Sequence, residues 1–267
     1  VTVDIENRIA RVTLNRAEKR NALDMRMFKG IVAAADKVAA ADDVRAVVMT
    51  GAGNSFCAGL DLGSLMSSPD DIGALIERTP GSLTNLAQEV AWAWRRLRVP
   101  VIAAISGEAF GGGLQIALGA DIRLLAENAR LSVMEIRWGL IPDMAGTRIM
   151  KDLLRLDVAK ELTMTGRIVA AQEAVELGLA TRVCGDPIAD ALAMATDISE
   201  RSPDAIQAAK RLLDTAWQIG DRDGLELETR LQLALIGGRN QMEAARAGME
   251  KRQPDFRPAT IELDDHD

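Results

Sequence analysis

Tyrosine is absent from the sequence and histidine occurs once, as His266, the penultimate residue. Chain ends are poorly ordered unless tied down, so a Ser-His-Asp triad or a His-ligated metal site has no histidine to build on, and no metal is expected. Catalysis, if there is any, must use carboxylates, Lys, Cys, Ser or the backbone. Cysteine is scarce too. Cys57 and Cys184 form no CxxC or Cys/His spacing, and two thiols make no disulfide framework, which fits a reducing compartment. Long apolar runs are missing: the most apolar stretch, residues 99–120, is broken by Pro100, Glu108, Gln115 and several glycines, so it does not span a membrane. The opening Val1-Thr-Val-Asp-Ile-Glu-Asn-Arg8 puts charges where a signal peptide needs apolar residues and lacks the bias of a transit peptide, so a cytoplasmic location is expected.

Positive charge is in deficit, with 32 Lys and Arg against 39 Asp and Glu and a formal charge of -7. Such a field repels nucleic acid and anionic lipid, and neither is expected as a partner. One segment runs against it. Between Asn15 and Gly30 stand Arg16, Lys19, Arg20, Arg26 and Lys29 against only Glu18 and Asp24, enough local charge for one small anionic ligand.

What is present is an ordinary globular composition: 267 residues, 48% hydrophobic, enough for one large domain or a domain with an appendage. Alternating β-branched segments over 1–6 and 9–14 read as a hairpin about Asn7-Arg8. Residues 24–41 read as a helix capped by Asp24, 45–50 as a buried strand, and 67–80, rich in Ser, Pro, Asp and Gly, as a mobile loop. A helix over 83–98, a strand over 101–105, a helix from Gly111 to Gly119 and strands at 122–126 and 131–133 repeat the strand, loop and helix theme, which indicates an α/β architecture. From Gly146 helices dominate, interrupted by a strand at 181–184, and Ser202-Pro203 opens the first of three terminal helices. A boundary near Arg201 divides a core, 1–201, from a helical region, 202–267.

Two glycine turns, each after a buried strand, carry the chemistry. Ser55-Phe-Cys-Ala-Gly-Leu-Asp61 turns at Gly59, and Gly107-Glu-Ala-Phe-Gly-Gly-Gly-Leu-Gln115 puts three glycines at a helix start, whose first N–H groups lack internal partners and attract negative charge. A glycine triplet also serves tight packing of helix on strand. In order and spacing, however, the two turns resemble the signature loops of the crotonase (enoyl-CoA hydratase/isomerase) superfamily, and the likeness extends from Asn15-Arg-Ala-Glu-Lys-Arg-Asn-Ala-Leu23 through Ile141-Pro-Asp-Met-Ala-Gly-Thr147 to Lys251-Arg-Gln-Pro-Asp-Phe256. Ala17 departs from it, standing where the family usually has Pro. The resemblance implies a ββα superhelical core with a C-terminal α-helical trimerisation region, a homotrimer or dimer of trimers, and an acyl-CoA substrate, coenzyme A entering as part of that substrate and no tightly bound cofactor. It implies an oxyanion hole from the N–H groups of Ala58 and Gly112. It also implies CoA and substrate contacts along Lys19, Arg20, Ala22, Gly59, Leu60, Asp61, Leu62, Phe110, Gly111 and Pro142, with Lys251 and Phe256 reaching a neighbour's CoA.

Hydratases of that family place one glutamate three residues after the second oxyanion glycine and another twenty residues later. Here those positions hold Gln115 and Glu135. Glutamine can hold a water or a carbonyl but takes up no proton at neutral pH, and hydration is usually shared between two carboxylates. One carboxylate suffices to move a double bond, lifting a proton from one carbon and returning it to another. Glu135 is then the base, in a setting expected to be made apolar by Met134, Ile136 and Trp138. Asp143 stands where the dienoyl-CoA isomerase branch carries an additional aspartate; it is equally a simple turn residue. The sequence thus supports a double-bond isomerase or weak hydratase, with a non-catalytic acyl-CoA-binding protein as the alternative.

Overall fold

The computed structural model describes residues 1–67 and 69–261, so His266 lies outside the described residues. Strands β1 (Thr2–Glu6) and β2 (Ile9–Leu14) form the expected hairpin, pairing antiparallel with Glu6 opposite Ile9. Asn7 and Arg8 both take positive φ (49° and 67°), the tight two-residue turn whose twist matches that of the strands it joins. Asp24 caps α1 (Met25–Ala39) by accepting from the Met27 N–H at 2.8 Å. The chain then enters β3 (Ala46–Gly51), which pairs parallel to β2.

Two short helices follow, α2 (Leu62–Met66) and α3 (Pro69–Ile76). Much of the stretch expected to be a loop is therefore helical. The Ser, Pro and Asp residues that suggested a loop lie at its start, and Ile72, Leu75 and Ile76 recur at helical spacing behind them. Asn85 opens α4 (Leu86–Arg96) with a full capping box involving Gln88. Then come β4 (Val101–Ile105), β5 (Glu108–Phe110), α5 (Gly112–Leu118), β6 (Ile122–Ala126) and β7 (Arg130–Ser132). Beyond a 3-10 turn at Glu135–Trp138 lie α6 (Gly146–Leu153), α7 (Leu156–Thr165), β8 (Val169–Ala170), α8 (Ala171–Leu177), β9 (Arg182–Cys184) and α9 (Pro187–Ser199). The chain ends in α10 (Pro203–Ala216), α11 (Asp221–Leu235) and α12 (Arg239–Glu250).

The main sheet runs β1-β2-β3-β4-β6-β9, parallel throughout except for the first hairpin. Its middle strands are apolar on both faces because both faces are covered, as parallel sheets require. Val47, Met49, Val101 and Ala103 face the larger core with α1 and α4, while Ala46, Val48, Ile102 and Leu124 face α9 through Ala191 and Ala195. A second sheet, β5-β7-β8, stands beside it. Helices α10 and α11 pack round a cluster of their own, Ala208, Leu227 and Leu231. No helix among the described residues is long and apolar enough to cross a membrane.

Because β3 and β4 are parallel neighbours, both glycine loops lie at the same, carboxyl-terminal end of the sheet. The place where they meet is fixed by topology before any side chain is considered.

Candidate active site

The loop after β3 is held against the loop after β4 by backbone bonds: Cys57 N–H to the Glu108 carbonyl at 2.9 Å and Phe110 N–H to the Cys57 carbonyl at 3.0 Å. Asn21 secures the arrangement from within. Fully buried and left-handed (φ 57°), it donates from Nδ2 to the Ala52 and Ser55 carbonyls (2.9 and 2.8 Å) and accepts the Arg16 N–H at 2.9 Å. Asn21 lies within the segment 15–23 that carries the family resemblance, which implies no role for it. Its signal was there: Asn tolerates the left-handed conformation, and its carboxamide can serve three backbone groups at once.

Gly112 opens α5, and no hydrogen-bond partner meets its N–H among the described residues. The Ala58 N–H, the other expected oxyanion donor, donates a hydrogen bond to the Arg20 carbonyl at 2.9 Å. An incoming oxygen must share or displace that bond. Gly59 (φ 92°) passes so close to Phe110 that a Cβ would lie 2.8 Å from the Phe110 carbonyl oxygen. Gly112 lies under Met144 and Leu23, with a Cβ there falling 2.6 Å from Met144 Sδ.

Glu135 sits on the 3-10 turn, 7% exposed. Its Oε1 accepts from Gln115 Nε2 at 2.6 Å, whereas its Oε2 is buried with no partner. Gln115, 2% exposed on α5, uses its own Oε1 to accept the Met144 and Gly146 N–H groups, each at 2.9 Å. That oxygen is saturated, so Gln115 does not offer it to a water, as the sequence reading allowed.

Burial pushes the Glu135 carboxyl above the usual carboxylate range, and the charge of Asp143 adds to the effect. The apolar setting does not come from all the expected neighbours, for Ile136 and Trp138 are 41% and 62% exposed. What covers Glu135 is the glycine loop: a Cβ on Gly111 would lie 3.4 Å from its Oε1. Asp143 follows the buried Pro142 and is exposed; what burial it has raises its carboxyl too.

Apart from Phe110 and Gly111 in the glycine loop and Pro142 beside Asp143, the expected CoA contacts fall into two groups. Lys19, Arg20, Ala22, Gly59, Leu60, Asp61 and Leu62 are brought together by a parallel bridge between Leu23 and Leu60. Lys19 and Arg20 are exposed, and Arg20 stands 3.5 Å from Glu108. The Asp61 carboxylate pairs with Arg16 at 2.8 Å, which holds its pKa below the usual value. Lys251 and Phe256 lie elsewhere. Lys251 is exposed at the end of α12; Phe256 is 5% exposed within its own chain, its carbonyl held by Arg45 just before β3, at the opposite end of the sheet from Gly112. A buried ring has no free face for a neighbour's CoA. Cys57 is a small buried filler, its thiol pushed up to about 12 by burial.

Known proteins match this chain over most of its length. A family model described as Enoyl-CoA hydratase/isomerase matches residues 4–259. Enoyl-CoA hydratase EchA19 of Mycobacterium tuberculosis is 34% identical over 92% of this chain and 91% of its own. The mitochondrial Delta(3,5)-Delta(2,4)-dienoyl-CoA isomerase of Mus musculus is 32% identical over 92% of this chain and 78% of its own. The crystal structure of enoyl-CoA hydratase from Bacillus anthracis superposes with a TM-score of 0.87 at 29% identity, covering 97% of this chain and 99% of that one. Fold and paired glycine loops thus define a crotonase-fold protein of the acyl-CoA-processing class. The chain belongs to the enoyl-CoA hydratase/isomerase family, whose members act on acyl-CoA substrates.

Proposed function

We propose that this protein moves a carbon–carbon double bond in an enoyl-CoA thioester with one carboxylate, Glu135, as base, and hydrates enoyl-CoA only weakly. The observation that carries this reading is the buried, unpartnered Oε2 of Glu135 beside a glutamine that cannot act as a second acid. Removing a proton next to a thioester pushes charge onto its carbonyl oxygen. The N–H groups of Gly112 and, once it leaves the Arg20 carbonyl, Ala58 receive that oxygen; a preformed donor of this kind is worth roughly 3 kcal/mol. Oε2 takes the proton and returns it to the carbon at the other end of the allylic system. Asp143 is the second acid if dienoyl substrates are used.

CoA enters as part of the substrate, its adenosine and phosphates near Lys19, Arg20 and Ala22, its chain past Leu60 to Leu62 and its thioester between Ala58 and Gly112, with Gly59, Phe110, Gly111 and Pro142 as further substrate contacts. The core of 1–201 binds acyl-CoA, and 202–267 supports a homotrimer or dimer of trimers.

A panel of 2-enoyl-, 3-enoyl- and dienoyl-CoA substrates tests the reading. We expect isomerisation by the wild type, and a loss of roughly 10²–10⁴-fold in Glu135→Gln with acyl-CoA affinity nearly unchanged. A Glu135→Gln variant as fast as wild type sinks the reading. Binding without turnover on the whole panel favours the non-catalytic alternative.

A further inference from the structure

The orientation of the Gln115 carboxamide is dictated by its neighbours. The backbone N–H groups of Met144 and Gly146 can only donate, so the atom facing both at 2.9 Å must be the oxygen. The nitrogen then has one direction left, toward Glu135, where it donates to Oε1 at 2.6 Å. The fit is tight, since a Cβ on Gly146 would fall 2.5 Å from Gln115 Oε1. Glu135 Oε1, facing an N–H, cannot carry a proton on that side. Oε2 is buried and has no hydrogen-bond partner, the backbone N–H groups of Met134 and Glu135 acting on the carboxylate only from nearby, where they offset part of the upward push of burial.

We infer that Gln115 is a positioning residue that divides the Glu135 carboxylate into a held oxygen, Oε1, and a working oxygen, Oε2, so that a single atom both removes and returns the substrate proton. This rests on the single-base reading above. In the first half of the cycle a C–H bond adjacent to the thioester breaks, its proton bonds to Oε2 and its electron pair passes into the conjugated enolate. In the second half the O–H bond breaks, the proton goes to the distal carbon and the double bond shifts. Glu135 ends as it began, and no oxidant or further reactant is consumed. A carboxylate confined to one oxygen in a buried site exchanges its proton slowly with water, so some of the proton removed is the proton returned.

Glutamate in place of Gln115 separates this role from a structural one. Gln115→Glu keeps an acceptor for both loop N–H groups, so the loop from Met144 to Gly146 stays anchored, but it withdraws the N–H from Oε1 and sets two carboxyls against each other. Such a pair holds a shared proton to higher pH. Asp143 is the other charged group whose field reaches Glu135. With a 3-enoyl-CoA substrate we expect the acid limb of kcat to move up by about one pH unit or more. At neutral pH the loss should be roughly tenfold, recovering toward high pH, with KM little changed. Gln115→Met frees the carboxylate to rotate, and deuterium placed on the abstracted carbon, partly carried to the product by the wild type, should wash out into water. The Glu135 carboxyl is titrated separately by ¹³C NMR of glutamate-labelled protein, assigned with Glu135→Gln, which needs no substrate. An unchanged Glu135 titration in Gln115→Glu, or unchanged label transfer in Gln115→Met, with only thermal stability reduced, overturns the inference. A shifted titration in a protein whose turnover survives Glu135→Gln leaves the clamp standing and sinks the single-base reading instead.

Discussion

Glu135 and Gln115 lie twenty positions apart, and the family resemblance singles out both positions relative to Gly112. The bond between them was not legible, because it depends on how α5 faces the 3-10 turn. The source of the raised Glu135 pKa was misread for a similar reason. Adjacent residues on a single turn point in different directions, so Ile136 and Trp138 face solvent while Glu135 faces the glycine loop. The consequence for pH has two opposite signs. Glu135 works ionised, so turnover should be lost as pH falls through its raised pKa, above the usual carboxylate range. Folding goes the other way. A carboxyl whose folded pKa is raised favours the fold when protonated, and that contribution is lost as pH rises through the folded value. The stability of Glu135→Gln relative to wild type, followed by urea denaturation, should therefore grow with increasing pH and level off above the folded pKa. A gap independent of pH contradicts the assignment. Asp143→Asn should slow a dienoyl-CoA substrate far more than a 3-enoyl-CoA if Asp143 is the second acid; equal effects on the two remove it from that role.

At the scale of elements, the hairpin, α1, the central strands and the three terminal helices were readable, because apolar period, caps and turn residues agree there. Besides α3, what escaped were pieces whose pairing partner is distant. The two-residue β8 exists only through β7, and β5 was folded into the glycine turn although Cys57 and β7 pin it from both sides. The first turn of α5 shows what its three glycines do. At Gly112 a methyl group would meet Met144 Sδ at 2.6 Å and Leu23 Cδ1 at 3.0 Å, both ends of flexible side chains. At Gly113 it would meet the Cys57 carbonyl oxygen at 2.5 Å, which is backbone and cannot yield without moving the loop that carries Ala58. Gly113→Ala should thus cost at least the 1–3 kcal/mol typical of overpacking, lowering the melting temperature clearly. Gly112→Ala should fold with a smaller loss yet bind substrate poorly, because the displaced Met144 lies over the expected thioester position. Calorimetry on both variants decides the order, and a Gly112→Ala less stable than Gly113→Ala reverses the argument.

For the molecule as a whole, the decisive feature is apolar surface that the described chain does not cover. Helix α11 is apolar on two sides: Leu227 and Leu231 close onto Ala208, while Leu225 and Leu233, two turns apart on another face, are 62% and 67% exposed, with Ile236 at 60% just beyond the helix. Trp217 at the end of α10 is 75% exposed. A single apolar stripe serves one core; a second stripe on the same helix marks a contact surface. Burying a Leu side chain from such a surface stabilises by about 1.5–3 kcal/mol, so a few per protomer favour association even after its entropy cost. The wild type should sediment at micromolar concentration as a multiple of 28.7 kDa, a trimer or hexamer. Leu225→Glu combined with Leu233→Glu should shift it toward the protomer, because both charges would be buried unpaired at the contact. Leu227 and Leu231 are untouched by these changes, so the cluster with Ala208 should survive and far-ultraviolet circular dichroism should remain native. A wild type that sediments as a monomer refutes the association, and an oligomer indifferent to both substitutions places its interface on another face.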